Sequence, residues 1–141
     1  MSASCNALLE SLGLEGSDIS NPAHFIRSVR KGVSGEVVRH AIQVFGNRSL
    51  FVKILNTTSS NVSRYYSRKR LSHVDSEELL DTIRLYINVV KIFGDIDSAK
   101  DWLQMPSPAL SGEKPEDLFD TFEGREWVTQ VLRKIEYGEF V

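Results

Sequence analysis

The spacing of apolar and polar positions along the chain predicts a protein built from α-helices. Asn21 and Pro22 form a typical helix start, because asparagine caps the first turn and proline fits its first position. Phe25, Ile26 and Val29 then follow at helical spacing. No stretch of the 141 residues shows the strict alternation of a half-buried strand.

Further helices follow in the same way. A helix that stops at Gly46 carries Val37, Val38, Ile42 and Phe45. A long helix over residues 75–93 is apolar on more than one face, which indicates burial on two sides. A last helix over about residues 121–136 presents a predicted buried stripe of Phe122, Val128, Val131, Leu132 and Ile135. Residues 1–20 combine a few leucines with glycines and serines, and we expect a flexible lead-in there.

Residues 49–66 have the pattern of a helix-turn-helix, the motif in which the second helix reads DNA. Phe51, Val52 and Leu55 give the first helix its apolar face, and Val62 serves as the apolar wedge of the second. Asn56 tolerates the left-handed backbone of the intervening turn, and Thr58 is a suitable N-cap. Small hydrogen-bonding residues and cations on the opposite face are predicted to contact DNA: Thr58, Ser59, Ser60, Ser63, Arg64, Ser67, Arg68 and Lys69.

The charge distribution supports an anionic partner for this region. The net charge is −2, but residues 1–94 hold 12 Lys/Arg and 8 Asp/Glu, whereas residues 95–141 hold 5 and 11. No acidic residue occurs between Val37 and Val74. A basic middle and an acidic end predict two different partners, with a polyanion for the first.

The sequence offers no pattern for catalysis, a metal or a cofactor. Cys5 has no histidine near it, and His24, His40 and His73 lack the spacing of a metal site. No glycine-rich phosphate loop is present. The first residues lack the features of a secretory signal, and no apolar run is long enough for a membrane span, so we expect a cytoplasmic protein that is not an enzyme.

The C-terminal third carries a more specific pattern. Residues 106–119 read Pro-Ser-Pro-Ala-Leu-Ser-Gly-Glu-Lys-Pro-Glu-Asp-Leu-Phe, and Gly124 and Val-Leu-Arg-Lys-Ile-Glu-Tyr-Gly (131–138) follow. Together with residues 89–95 and 99–103, this resembles the Xre/MbcA/ParS antitoxins, whose pattern is Asn-Pro-Ala-Leu-Gly-Gly, then Leu-x-x-Ile-Glu-x-Gly. Ser107, Ser111 and Phe119 depart from the usual Asn, Gly and Leu.

The resemblance implies a helix-turn-helix joined to a C-terminal toxin-binding domain. It implies a partner toxin of the RES fold that degrades NAD⁺, inhibition by covering the entrance of its active site, and repression of the antitoxin's own operon. On this basis the expected toxin-binding residues are Trp102, Pro108, Leu110, Gly112, Lys114, Pro115, Gly124, Glu136, Tyr137, Gly138, Phe140 and Val141.

The resulting expectation is an all-α fold in which an Xre/Cro-like helix-turn-helix subdomain (residues 21–74) merges with a toxin-binding subdomain (residues 75–141). A homodimer within a toxin–antitoxin complex is expected, since one short recognition helix reads few bases by itself. The alternative is a dimeric helix-turn-helix repressor that acts alone, whose C-terminal half serves only for dimerisation.

Overall fold

The computed structural model describes residues 3–138, which form α-helices and 3₁₀ turns with no β-strand among them. The all-α prediction is therefore confirmed. The helices are α1 (Ala3–Leu12), α2 (Gly16–Ser20), α3 (Pro22–Lys31), α4 (Glu36–Phe45), α5 (Arg48–Ile54), α6 (His73–Phe93), α7 (Ile96–Leu103) and α8 (Phe122–Glu136), and 3₁₀ turns occur at Val62–Tyr65, Pro108–Leu110 and Pro115–Leu118.

The N-terminal segment differs from the expected flexible lead-in. Residues 3–12 form α1, and Cys5, Leu9 and Leu12 on it are almost fully buried. These three positions follow one another at i, i+4 and i+7, the spacing of one helix face. Gly13 has a φ of 81° and ends the helix, so the glycine limits α1 rather than preventing it.

Helices α3 to α5 begin and end where the sequence indicates. The side chain of Asn21 accepts a hydrogen bond from the His24 amide, and Pro22 occupies the first turn of α3. Gly46 ends α4 in the left-handed conformation. Asn47 caps α5 by accepting from the Leu50 amide at 3.3 Å.

The second helix of the predicted helix-turn-helix is not an α-helix. Asn56 adopts the predicted left-handed φ of 52° and Val62 is fully buried, but only Val62–Tyr65 form a short 3₁₀ turn. The Ser59 carbonyl, which would accept from the Ser63 amide in an α-helix, accepts from the guanidinium of Arg48 at 2.5 Å. Serines that hydrogen-bond locally and β-branched Val62 also favour helix weakly.

The chain divides into two compact units, residues 1–84 and 85–141, with the boundary inside α6. The predicted boundary, between residues 74 and 75, lies near the start of α6 and precedes this division. In the first unit, Phe51, Val38, Leu79, Leu80 and Ile83 are completely buried. Ser76 is also completely buried there, and its hydroxyl accepts a hydrogen bond from the Val33 amide at 2.9 Å.

In the second unit, Tyr86, Leu103, Leu110, Phe119 and Leu132 are the large side chains that are almost completely buried. The predicted stripe of α8 is correct for Val128, Val131 and Leu132 and intermediate for Ile135. Phe122 is 65% exposed, contrary to the prediction, and Arg125 is buried in that turn. Because Arg125, Val128 and Leu132 are spaced i, i+3 and i+7, the buried face begins at the arginine.

Candidate functional site

The segment that joins α7 to α8 contains a loop whose two ends are hydrogen-bonded to each other. We call residues 107–113 the closed loop. The Ser107 carbonyl accepts from the Gly112 amide at 2.8 Å, and the Ser107 amide donates to the Glu113 carbonyl at 3.0 Å. Ser111 and Gly112 both have positive φ, at 57° and 82°. Serine adopts this conformation at a cost that glycine avoids, which is where this chain departs from the Gly-Gly of the antitoxin pattern.

Buried side chains fix this segment to the second unit. Leu110 and Phe119 are completely buried, and the Phe119 ring lies 4.8 Å from the Tyr86 ring. The carboxylate of Glu116 accepts from the Tyr86 hydroxyl at 2.5 Å and also from the side-chain amide of Gln104. One carboxylate therefore connects the segment to α6 and to the residue that follows α7 with charge-assisted hydrogen bonds.

A close approach of backbones sets the start of α8. Thr121 caps the helix by accepting from the Gly124 amide at 2.9 Å. A Cβ on Gly124 would lie 1.9 Å from the Leu118 carbonyl oxygen, so only glycine fits there. The buried guanidinium of Arg125 donates to the Phe119 carbonyl at 2.8 Å and so fixes the other end of the same short segment.

A groove of about 460 Å³ lies in the second unit between the last turns of α6 and α8. Its lining residues are Lys91, Ile92, Phe93, Ile135 and Glu136. The Phe93 ring stacks on Trp102, with ring centroids 5.3 Å apart. The groove thus combines an apolar wall with one cationic and one anionic side chain, a lining suited to a polar peptide or side chain.

Three aromatic side chains of the second unit are exposed on or just after α8. Phe122 is 65% exposed, Trp127 is 36% exposed and Tyr137 is 75% exposed. Exposed aromatic residues on a folded domain commonly mark a protein–protein contact. We refer to Phe122, Trp127 and Tyr137 as the exposed aromatic residues of α8. Phe122 and Trp127 are about 140° apart around the helix, so the three do not share one face.

The expected toxin-binding residues separate into two groups. Glu136, Tyr137 and Gly138 lie together at the exposed end of α8, and Pro108 and Gly112 lie on the exposed side of the closed loop, with exposed Lys114 directly after it. In contrast, Leu110, Pro115 and Gly124 are buried, so they hold the segment in place and do not form a surface. Trp102 is partly buried against Phe93, and Phe140 and Val141 lie outside the described residues.

The sequence did not single out Glu116, Arg125, Lys91 or Ile92, although it did name Glu136, which also lines the groove. Arg125 could have been found, because it stands on the apolar stripe of α8 between Gly124 and Val128. Glu116 has no comparable signal, since its two donors lie 30 and 12 residues away in the sequence.

The expected DNA-binding residues lie on and around the 3₁₀ turn. Ser63, Arg64, Ser67 and Lys69 are exposed. Ser59, however, is occupied by Arg48, whose Nε donates to its Oγ at 3.1 Å.

The remaining members of that set have local partners too. The hydroxyls of Thr58 and Ser60 lie 3.2 Å apart, within hydrogen-bond distance of each other. The guanidinium of Arg68 lies 4.1 Å from the centre of the Tyr65 ring, a cation–π contact. No recognition helix presents these residues as a row, so the predicted reading face is a compact exposed turn.

Within residues 3–138, no group of three or more His, Cys, Asp or Glu side chains could hold a metal ion. No helix in that range is long and apolar enough to cross a membrane. At the start of α7, hydrogen bonds from the backbone and side chain of Ser98 lower the pKa of Asp95 below its usual 3.8. That carboxylate is a helix cap.

Comparison with known proteins addresses the resemblance directly. Residues 89–138 match the family model of the antitoxin Xre/MbcA/ParS C-terminal toxin-binding domain. The predicted resemblance is confirmed. The matched range includes the closed loop, the groove residues and the exposed aromatic residues of α8.

A curated relative extends the similarity beyond this domain. The chain is 29% identical over 132 residues to the Prs ADP-ribosylating antitoxin of Sphingobium sp. (strain YBL2), covering 86% of this chain and 83% of the relative. Together the two findings support an Xre/MbcA/ParS-type antitoxin with a toxin as its partner. They agree with the prediction that the chain is not an enzyme, because such proteins neutralise toxins.

Proposed function

We propose that this chain neutralises a RES-domain toxin that degrades NAD⁺, by covering the entrance of the toxin's active site. The observation that carries the proposal is that residues 89–138 match a toxin-binding domain, and that this range contains exposed aromatic residues and a groove. In this proposal Glu136 and Tyr137 direct the end of the chain towards the toxin.

The order of the second unit favours such a role. The closed loop and the Glu116 hydrogen bonds hold residues 104–121 in one arrangement before any partner arrives, which lowers the entropic cost of binding. Aromatic side chains such as Trp127 and Tyr137 are frequent anchors of tight interfaces. The excess of acidic residues after residue 94 complements a site that accepts an anionic dinucleotide.

The proposal includes a second role for the first unit. The antitoxin would repress its own operon from the basic middle of the chain, as a homodimer within a larger toxin–antitoxin complex in the cytoplasm. The basic residues from Arg39 to Arg70, uninterrupted by acidic ones, support an anionic partner.

The name of the Sphingobium relative favours a second candidate for the toxin's reaction. That protein is named a Prs ADP-ribosylating antitoxin. Transfer of ADP-ribose consumes NAD⁺ just as its hydrolysis does, so an ADP-ribosyl-transferring toxin would present a similar entrance. Appearance of ADP-ribosylated protein alongside the loss of NAD⁺ would favour transfer over hydrolysis.

The test is growth and intracellular NAD⁺ in cells that express the adjacent gene with and without this chain. We expect NAD⁺ to collapse with the neighbour alone and to recover with the full chain. A chain that lacks residues 137–141 should restore neither growth nor NAD⁺, because Tyr137 and the residues after it are missing.

Val74→Ser is the matched control, since Val74 is an exposed apolar residue of the first unit and is 68% exposed. This variant should rescue as well as the parent. Full rescue by the truncated chain would contradict a role for the tail. A harmless neighbour would instead favour the repressor that acts alone.

A further inference from the structure

Two basic segments that are far apart in the sequence meet in the first unit. The last turn of α3 carries Arg30 and Lys31, and residues 68–70 are Arg68, Lys69 and Arg70. All five are exposed. We call these five residues the cation cluster.

Backbone contacts fix the two segments side by side. The Leu71 amide donates to the Val33 carbonyl at 2.7 Å, and the Gly35 amide donates to the Arg68 carbonyl at 2.9 Å. A Cβ on Gly32 would lie 3.0 Å from the Arg70 Cβ, so the end of α3 touches the second segment directly.

The same arrangement is attached to the core. The buried Ser76 hydroxyl accepts from the Val33 amide at 2.9 Å and lies 3.5 Å from the Leu71 carbonyl. A single buried side chain therefore connects both segments to α6. The fold therefore holds the backbone of the two basic segments side by side.

The cluster is not neutralised by acidic residues. Within residues 3–138, Glu36 pairs with Arg39 and Asp81 with Arg84, and none of the five cluster residues takes part in an ion pair. Like charges on adjoining segments repel one another, and an anionic ligand would relieve that repulsion.

We propose that the cation cluster binds the phosphate backbone of duplex DNA and supplies most of the affinity, while the exposed turn at residues 58–67 contributes little. The proposal rests on the proposed repressor role and names its contact surface. One observation favours a nucleic acid over an anionic membrane. In residues 4–84, the exposed large apolar side chains are Ile26 and Val74, which lie on different helices and form no row for insertion into lipid.

The test is fluorescence anisotropy of the full chain with a duplex from upstream of its own gene and with a scrambled duplex of equal length. The cluster variant is Arg30→Gln with Arg70→Gln, which removes two exposed charges without touching a buried group. The matched control is Lys100→Gln with Lys134→Gln, which removes two exposed charges from the second unit.

The cluster variant should bind both duplexes at least about tenfold more weakly at 0.1 M salt, and its slope of log affinity against log salt should fall by about 2. The control should match the parent. Arg64→Gln, on the exposed turn, should lose less than about threefold, as expected for a single exposed contact.

The results that would overturn the proposal are distinct from failure of toxin neutralisation, which the same variants report in the growth assay. Parent-like DNA binding by the cluster variant, or a larger loss with Arg64→Gln, would place the contact on the turn. Absence of DNA binding by the parent, or binding to phosphatidylserine vesicles in its place, would also overturn it. A cluster variant that fails to bind DNA but still rescues growth is folded, and would support the proposal.

Discussion

Two irregular segments of this protein, residues 56–71 in the first unit and residues 104–121 in the second, both pack against the start of a helix. They differ in the contacts that hold them in place. The first contains one 3₁₀ turn and the second contains two, and each packs against the start of a helix at a glycine. A Cβ on Gly35 would lie 1.7 Å from the Tyr65 carbonyl oxygen, and one on Gly124 would lie 1.9 Å from the Leu118 carbonyl oxygen. The glycine in both cases allows backbone to pack on backbone.

The difference lies in what holds the rest of each segment. Residues 104–121 place Leu110, Pro115 and Phe119 in the interior, and Glu116 links the segment to α6. Residues 56–71 bury Val62 and Leu71, and their other links include an exposed arginine, Arg48, the Ser76 hydroxyl and backbone pairing. Buried apolar side chains thus hold the segment of the second unit in place, whereas the segment of the first unit keeps cations and hydroxyls on its surface.

The largest expected effect comes from the two glycines. Gly124→Ala and Gly35→Ala should each destabilise the protein by about 3 kcal/mol, because the added methyl group collides with a carbonyl oxygen that is held in place on both sides. Thermal and urea unfolding measure the change.

Gly112→Ala is the control for these substitutions. Its φ is 82° but nothing lies within 4 Å of its Cβ, so the cost should be about 1 to 2 kcal/mol from the backbone conformation alone. Equal losses at Gly112 and Gly124 would show that the carbonyl contact is not the cause.

Removal of a hydrogen bond should destabilise the protein more in residues 104–121 than in residues 56–71. Tyr86→Phe removes the hydroxyl that donates to Glu116 and should cost about 1.5 to 3 kcal/mol, as for other bonds to a charged group that is partly shielded from water. Arg48→Gln removes the donor to the Ser59 carbonyl, and should cost below about 1 kcal/mol because that site is exposed to water.

Urea unfolding of the two variants beside the parent measures this difference. The chain supplies a control in Tyr137→Phe, which removes an exposed hydroxyl and should leave stability unchanged. A greater loss with Arg48→Gln than with Tyr86→Phe would reverse the proposed contrast between the segments.

The sequence predicted the regular elements of both units better than these segments. The predicted cap at Asn21 is present in the structure, because a cap depends on neighbouring residues alone. In place of the α-helix expected after Thr58 there is a short 3₁₀ turn, and the Ser59 carbonyl accepts from Arg48, a contact over 11 residues that no local pattern indicates. Likewise, the partner of Glu116 at Tyr86 lies beyond any local pattern.

The candidate site was predictable to the same extent. Glu136, Tyr137 and Gly138 came from a linear motif, and they lie together at the exposed end of α8. The motif also included Leu110, Pro115 and Gly124, which are buried. A sequence pattern records that a position is restricted, whereas burial decides whether the restriction serves packing or contact with a partner.

The smallest expected effect concerns pH and the start of α7, which precedes the second irregular segment. Hydrogen bonds from Ser98 lower the pKa of Asp95 from its usual 3.8, so the ionised cap is favoured in the folded state. A lowered pKa in the folded protein contributes stability that is present above pH 3.8 and is lost as the pH falls through the folded value. Asp95→Asn keeps the cap acceptor but cannot titrate, so the stability difference between parent and variant should shrink as the pH is lowered from 6 to 3.

Urea midpoints across this pH range measure the difference, with Asp97→Asn as the exposed control on the same helix turn. A constant difference over the whole range would mean that the charge of Asp95 does not stabilise the cap.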